Sequence, residues 1–349
     1  MKELYENEEI RLGKGYPSLV RFFNDNFEKP LVVFFPGWAH LGRISYGFPG
    51  SKEEHFLAKW ITQNGYPFLA TSYPIDHPVY EEVYPEFTLT DWGNMAAEIV
   101  KQFIDEHRLL NDIIGISWSA AGQVVRPFNV ACQSLGLNVD FHLVLESSPA
   151  LLIPSDRTIG FNISNKHLVS VKDSHYNLFW REIEDQSQIN GEEIISKEMY
   201  FRDFVGDFPV SLMGTNECYE DGTFVNNIEK SYRDKNFFAY TEYPIIASVT
   251  GNSKLAPYHP FVDRWTWGFL LTRKIYHDYI SRNESSFPSL SKDKFNNLVE
   301  YVNDLPNRLH RTTQGNHFLF LGRVGAKRIS EYLEFFDNEI HSIKKNFNV

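Results

Sequence analysis

The segment "PLVVFFPGW" (30–38) is an unbroken apolar run closed by Pro36-Gly37. An apolar run without alternation is what a strand buried on both faces requires, and such strands belong to parallel sheets with helices on either side. The segments that follow repeat this demand. "SKEEHFLAKWITQNG" (51–65) has a serine cap, early acids, apolar Phe56, Leu57, Trp60 and Ile61, and a closing Gly65, the marks of a helix. "YPFLATSYP" (66–74) reads as a strand. "LTDWGNMAAEIVKQFIDEHRL" (89–109) reads as a long amphipathic helix with Met95, Ile99, Phe103 and Ile104 on one face. "NDIIGIS" (111–117) is a strand, 120–135 a helix, and "DFHLVLESSP" (140–149) another strand. This alternation predicts an α/β protein with a mostly parallel sheet flanked by helices.

The second half is less regular. Residues 150–206 mix turn signals with a short alternating stretch, "KHLVSVKDS", and read as an insertion over the sheet. Strands are expected at "DFPVSLMGT" (207–215) and "EYPIIASVTGN" (242–252), and helices at 264–280 and 291–305. A short strand-like piece (307–317) and a terminal helix (325–345) close the chain. The expected organisation is an N-terminal part of the core over 1–150, a cap or lid insertion over 151–206, and a C-terminal part of the core with helical additions over 207–349.

Composition narrows the function. A formal charge of -11 with no long basic stripe argues against nucleic acid or an anionic membrane surface as partner. Two cysteines, Cys132 and Cys218, far apart and outside any CxxC, point to neither a disulfide framework nor a zinc site. The acidic opening "MKELYENEEIRLG" has no apolar core of a secretory signal, and no apolar run approaches the ~18 residues of a membrane span. The expected compartment is the cytoplasm. Aromatic residues reach 15%, which fits a wide apolar pocket lined by rings and equally fits a coding bias toward Phe and Tyr. Phosphate loops of the GxxxxGK[ST] type, HExxH and a Gly-rich dinucleotide turn are all missing from the sequence, so no cofactor and no metal are called for.

The chemistry concentrates in "GISWSAAG" (115–122). A nucleophile on a tight strand-to-helix turn takes a strained backbone, and the residues two before and two after it must be small. Gly115-Ile116-Ser117-Trp118-Ser119 meets that demand with Ser117 at the centre, departing from G-x-S-x-G only at Ser119. The other reading is a turn whose serine caps the following helix.

With this turn, the early "FFPGW" and the late "QGNHFLFL", the chain resembles the α/β-hydrolase superfamily over residues 30–150 and 290–340. The resemblance implies an α/β-hydrolase type of sheet with a lid or cap and a serine hydrolase acting on an ester or thioester. Its oxyanion-hole N–H donors would be Trp118, after the nucleophile, and Trp38, after Pro36-Gly37. Its base would be His317 in "TTQGNHFLFLG", with His259 in "APYHPF" as rival and His40 near the oxyanion loop as a substrate contact. The superfamily's chain order is nucleophile, acid, histidine. It leaves Asp263 in "SKLAPYHPFVDRW" as the acid, with Glu217 and Asp221 as alternatives. The implied partner is a small-molecule acyl substrate, apolar or aromatic. An acyltransferase with the same triad, or a binding protein with a degenerate one, fits the same residues.

Overall fold

A computed structural model describes residues 4–23, 28–150, 162–174 and 176–347. The central sheet comprises β1 (Glu8–Gly13), β2 (Tyr16–Phe23), β3 (Leu31–Phe35), β4 (Phe68–Ala70), β5 (Asp112–Trp118) and β6 (Asn138–Leu145), with β9 (Ile245–Thr250) and β10 (His310–Thr312). The strands β7 (Glu217–Glu220) and β8 (Thr223–Asn226) form a separate hairpin. The order across the sheet is β1-β2-β4-β3-β5-β6-β9-β10. Only β2 runs against the rest, pairing antiparallel with β1 and β4, so the sheet is mostly parallel as its apolar runs demand.

All five residues of β3 are buried because both faces are covered. Val32 and Phe34 point into one core with helices α1 (Leu57–Gln63) and α10 (Gly322–Asn346). Leu31, Val33 and Phe35 point into the other with α2 (Leu89–His107). Helix α3 (Val125–Ser134) also belongs to that second layer, through Phe128 and Ala131. Helix α2 starts at a reciprocal cap in which Thr88 Oγ1 accepts the Asp91 N–H and Asp91 Oδ2 accepts the Thr88 N–H.

Residues 171–235 add α4 (Val171–Ser174), α5 (Tyr176–Asn190), α6 (Lys197–Asp203) and α7 (Ile228–Lys235); later come α8 (Tyr258–Ile275) and α9 (Lys292–Arg308). Of the segment expected as a cap, residues 151–161 and 175 lie outside the described residues. Among the described residues, no helix is long and apolar enough to cross a membrane.

Two local outcomes differ from the sequence reading, and the opening segment adds two strands to it. The acidic opening segment is structural: β1 and β2 turn at Lys14-Gly15, both at positive φ (50° and 84°), the backbone that suits a tight hairpin. Glu8 of β1 then holds the buried Arg43 guanidinium with both carboxylate oxygens. The stretch 207–215 makes only isolated bridges at Asp207 and Phe208 before a 3-10 turn, Val210–Met213, because Pro209 has no N–H to give a ladder. Helix α8 begins at Tyr258 rather than Arg264, since Pro260 falls in its first turn, where no N–H is needed.

Candidate active site

Strand β5 does not stop at Ser117. Ile114, Ile116 and Trp118 alternate into the same core, and Trp118 still pairs with Leu145 of β6. The chain breaks direction at Ser119, whose φ of 58° is a left-handed conformation that residues with a side chain seldom adopt. A 3-10 turn, Ser119–Val124, leads directly into α3. The residue on the sharp strand-to-helix turn is therefore Ser119, and the small residues two places either side are Ser117 and Ala121. From the loop after β3, Gly37 closes against it: a Cβ on Gly37 would lie 2.7 Å from Ser119 Cβ.

Ser117 is fully buried within the strand, and its Oγ lies 3.2 Å from His142 Nδ1. Gly115 is small for the same neighbour, because a Cβ there would sit 2.2 Å from the His142 ring. The structure does not bring Ser117, the expected nucleophile, onto the turn: its hydroxyl is turned to a neighbouring strand. The serine on the turn stands two residues further on, at Ser119, and the Ile114-Ile116-Trp118 alternation is the signal for it.

His317 follows β10, on a loop anchored by Trp118 Nε1, which donates to its carbonyl at 2.7 Å, and by the fully buried Phe318. Its ring does face a serine hydroxyl, that of Ser119, with Nε2 2.7 Å from Oγ. Burial, the largest influence, pushes the imidazole down to about 3, so it is neutral at ordinary pH. On the other side, Nδ1 stands 3.9 Å from Glu146 Oε2. Glu146 is the residue just past β6, fully buried and held at φ 43°. Its Oε1 accepts the Gly251 N–H, while among the described residues Oε2 has no hydrogen-bond partner. Burial raises its carboxyl to about 7, against the pull of His259 and of the Gly251 N–H.

Asp263, the expected acid, is committed elsewhere. It sits on α8 one turn after His259, accepting from His259 Nδ1 (2.9 Å), the Ser147 N–H (2.9 Å) and Ser148 Oγ (2.7 Å). The carboxylate that meets His317 is Glu146. Being adjacent to the strand end, it lies inside "DFHLVLESSP", where its sequence context is that of a strand residue. His259 nonetheless belongs to the site: its ring stacks on His317 with centroids 5.2 Å apart. Burial works against its charge, but Asp263 and Glu146 hold its pKa above the usual value.

The remaining candidates are placed as follows. Glu217 and Asp221 lie on the β7–β8 hairpin, apart from the main sheet. His40 is buried, with Nε2 2.7 Å from the Tyr200 hydroxyl and Nδ1 2.6 Å from the Trp38 carbonyl. Trp118 is within the strand, and the residue after Ser119 is Ala120. Trp38 follows Gly37, beside Ser119, and its indole donates to the Leu212 carbonyl at 2.7 Å.

Ser119, Ala120, Trp38, His259 and His317 line a cavity of about 320 Å³, walled further by Phe179 of α5 and Met213. Glu146, His259 and His317 also place donor atoms within 4.8 Å of one another, a spacing that suits a metal ion as well as an acid–base relay. A mostly parallel sheet, a strained serine between strand and helix, and a histidine loop after the last strand now stand together. The fold is of the α/β-hydrolase type.

No protein-family model and no curated protein matches the chain. Among solved structures it is similar to an esterase from Pyrobaculum calidifontis, at 14% identity over 97% of this chain and 85% of that one, with a TM-score of 0.48. It is similar to an esterase from Thermogutta terrifontis at 9% identity, over 95% of this chain and 99% of the other, TM-score 0.47. A thioesterase domain from a curacin biosynthetic pathway aligns at 10% identity, over 93% and 99%, TM-score 0.44.

Proposed function

We propose that the protein is a serine hydrolase that cleaves a carboxylic ester or thioester through an acyl-Ser119 intermediate. The observation that carries this reading is the 2.7 Å contact between Ser119 Oγ and His317 Nε2, on a serine held at φ 58° and opening into a cavity. In the first half, Ser119 Oγ attacks the acyl carbon as its proton passes to His317 Nε2. Glu146 orients the ring and stabilises the imidazolium. The N–H groups of Ala120 and Trp38 receive the oxyanion. The imidazolium then gives its proton to the departing alkoxide or thiolate. In the second half, water attacks the acyl carbon with His317 as base, and Ser119 leaves with the proton restored. The described part of the insertion, from residue 162, serves as the cap, with α5 as the cavity wall it contributes.

A fluorophosphonate probe tests the assignment. Peptide mapping is expected to place the label on Ser119 in the wild type, with no label in Ser119→Ala and labelling retained in Ser117→Ala. Labelling of the Ser119→Ala protein at the wild-type rate would end the proposal.

A further inference from the structure

The cavity beside Ser119 contains an acidic side chain that acyl transfer leaves unused. Glu182, on α5, lines the same cavity as Ser119 and His317 and is only 4% exposed. Among the described residues its carboxylate has no hydrogen-bond or ion-pair partner. Its charged neighbours are Glu146 and Asp185, both of its own sign; burial first, and these two next, push its carboxyl up to about 8.

Two other deep carboxylates are treated differently. Glu8 is matched by Arg43 and by the Tyr46 hydroxyl, and Asp263 by His259, Ser147 and Ser148. A carboxylate held this deep at a cavity wall is costly to ionise, and a cation in the cavity would offset that cost. The rings of Trp38, Phe179 and Tyr258 line the same space. A carboxylate among aromatic faces is the combination that binds an ammonium group, by a charge-assisted hydrogen bond and by cation–π attraction. An ammonium group beside Glu182 would favour the ionised carboxylate, whereas a carboxylate or phosphate would add a third anion next to Glu146 and Asp185.

We infer that Glu182 is a recognition residue for a cationic amino group on the substrate, so that the esters or thioesters this site selects are amine-bearing ones. The inference rests on Ser119 being the nucleophile and names the substrate class for that same site.

The test uses two matched ester series with the full-length protein. One pairs p-nitrophenyl esters of ω-amino acids with the isosteric ω-methyl fatty acids. The other pairs acetate esters of amino alcohols with those of the matching alkanols. The expected result is a kcat/KM preference for the amine of roughly 10- to 100-fold in at least one series, at the chain length that reaches Glu182. In Glu182→Gln that ratio falls toward one, and in Glu182→Asp the optimum moves to a chain one methylene longer. Ratios within one protein cancel any general loss of activity or folding. Turnover of the methyl esters with no amine preference in either series would overturn the inference while leaving the hydrolase reading intact, as would a preference that survives Glu182→Gln. Absence of turnover of every ester, together with absence of fluorophosphonate labelling, would instead overturn the hydrolase reading beneath it.

Discussion

Replacing Glu146 by Gln separates the two carboxylates that compete for the role of triad acid. The change keeps the shape and the acceptor for the Gly251 N–H but removes the charge 3.9 Å from His317 Nδ1. At an effective dielectric of about 20, a unit charge at that distance stabilises an imidazolium by about 4 kcal/mol. Lost from the transition state, this is a fall of about a thousandfold in kcat/KM. The pH profile gives a second, independent mark. Glu146 is held at about 7 by burial, so wild-type activity is expected to decline as pH drops through that value and the carboxylate is neutralised. Glu146→Gln has no such group, and its residual activity should lack that limb. Asp263→Asn removes a hydrogen-bond partner of His259 and only a more distant charge from His317, and is expected to lose less than about tenfold in kcat/KM. Steady-state hydrolysis of a p-nitrophenyl ester from pH 5 to 9, with the fluorophosphonate labelling rate alongside, reads all of these. The reasoning is refuted if Glu146→Gln stays within tenfold of wild type, or if Asp263→Asn has the larger loss.

Three further outcomes follow from the same geometry. Gly37→Ala puts a Cβ 2.7 Å from Ser119 Cβ, so the serine must shift; kcat/KM is expected to fall about a hundredfold with little change in melting temperature, measured by kinetics beside calorimetry. Glu8→Gln leaves the Arg43 guanidinium buried and uncompensated between β1 and the loop after β3, at a cost of about 3–5 kcal/mol in denaturant unfolding. For stability against pH, Glu146 rises from its ordinary 4.5 to about 7 on folding, so its contribution is full below 4.5 and is lost as pH climbs to 7. Glu146→Gln should therefore be the more stable protein above pH 7, by roughly 3 kcal/mol, with the gap closing toward pH 4.5 in a melting series.

The architecture was legible because its cause is local and repeated. Each buried strand must be apolar along its whole length, as "PLVVFFPGW" is, and each covering helix must carry an apolar stripe, as α2 does. What sequence reading missed is of a different kind. Gly115 looked like the small residue of a nucleophile turn, yet its smallness makes room for His142, a cross-strand neighbour far away in the chain. The acidic opening segment carried no sign of its partner, yet one of its acids, Glu8, pairs with Arg43 inside the protein.

The sequence by itself determined the parallel sheet, the strand-to-helix turn near residue 117 and the histidine that faces it, because hydrophobic period, small residues and loop glycines act over a few positions. Which serine the turn presents, and which carboxylate stands behind the histidine, were decided only by the tertiary structure. A strand's end is set by where its neighbour stops pairing, and β6 keeps β5 extended through Trp118, so the bend falls on Ser119. Likewise β6 ends beside the β10 loop, so Glu146 reaches His317, while the early start of α8 turns Asp263 to His259. Both outcomes come from packing between segments distant in the chain, where spacing along the sequence carries no information.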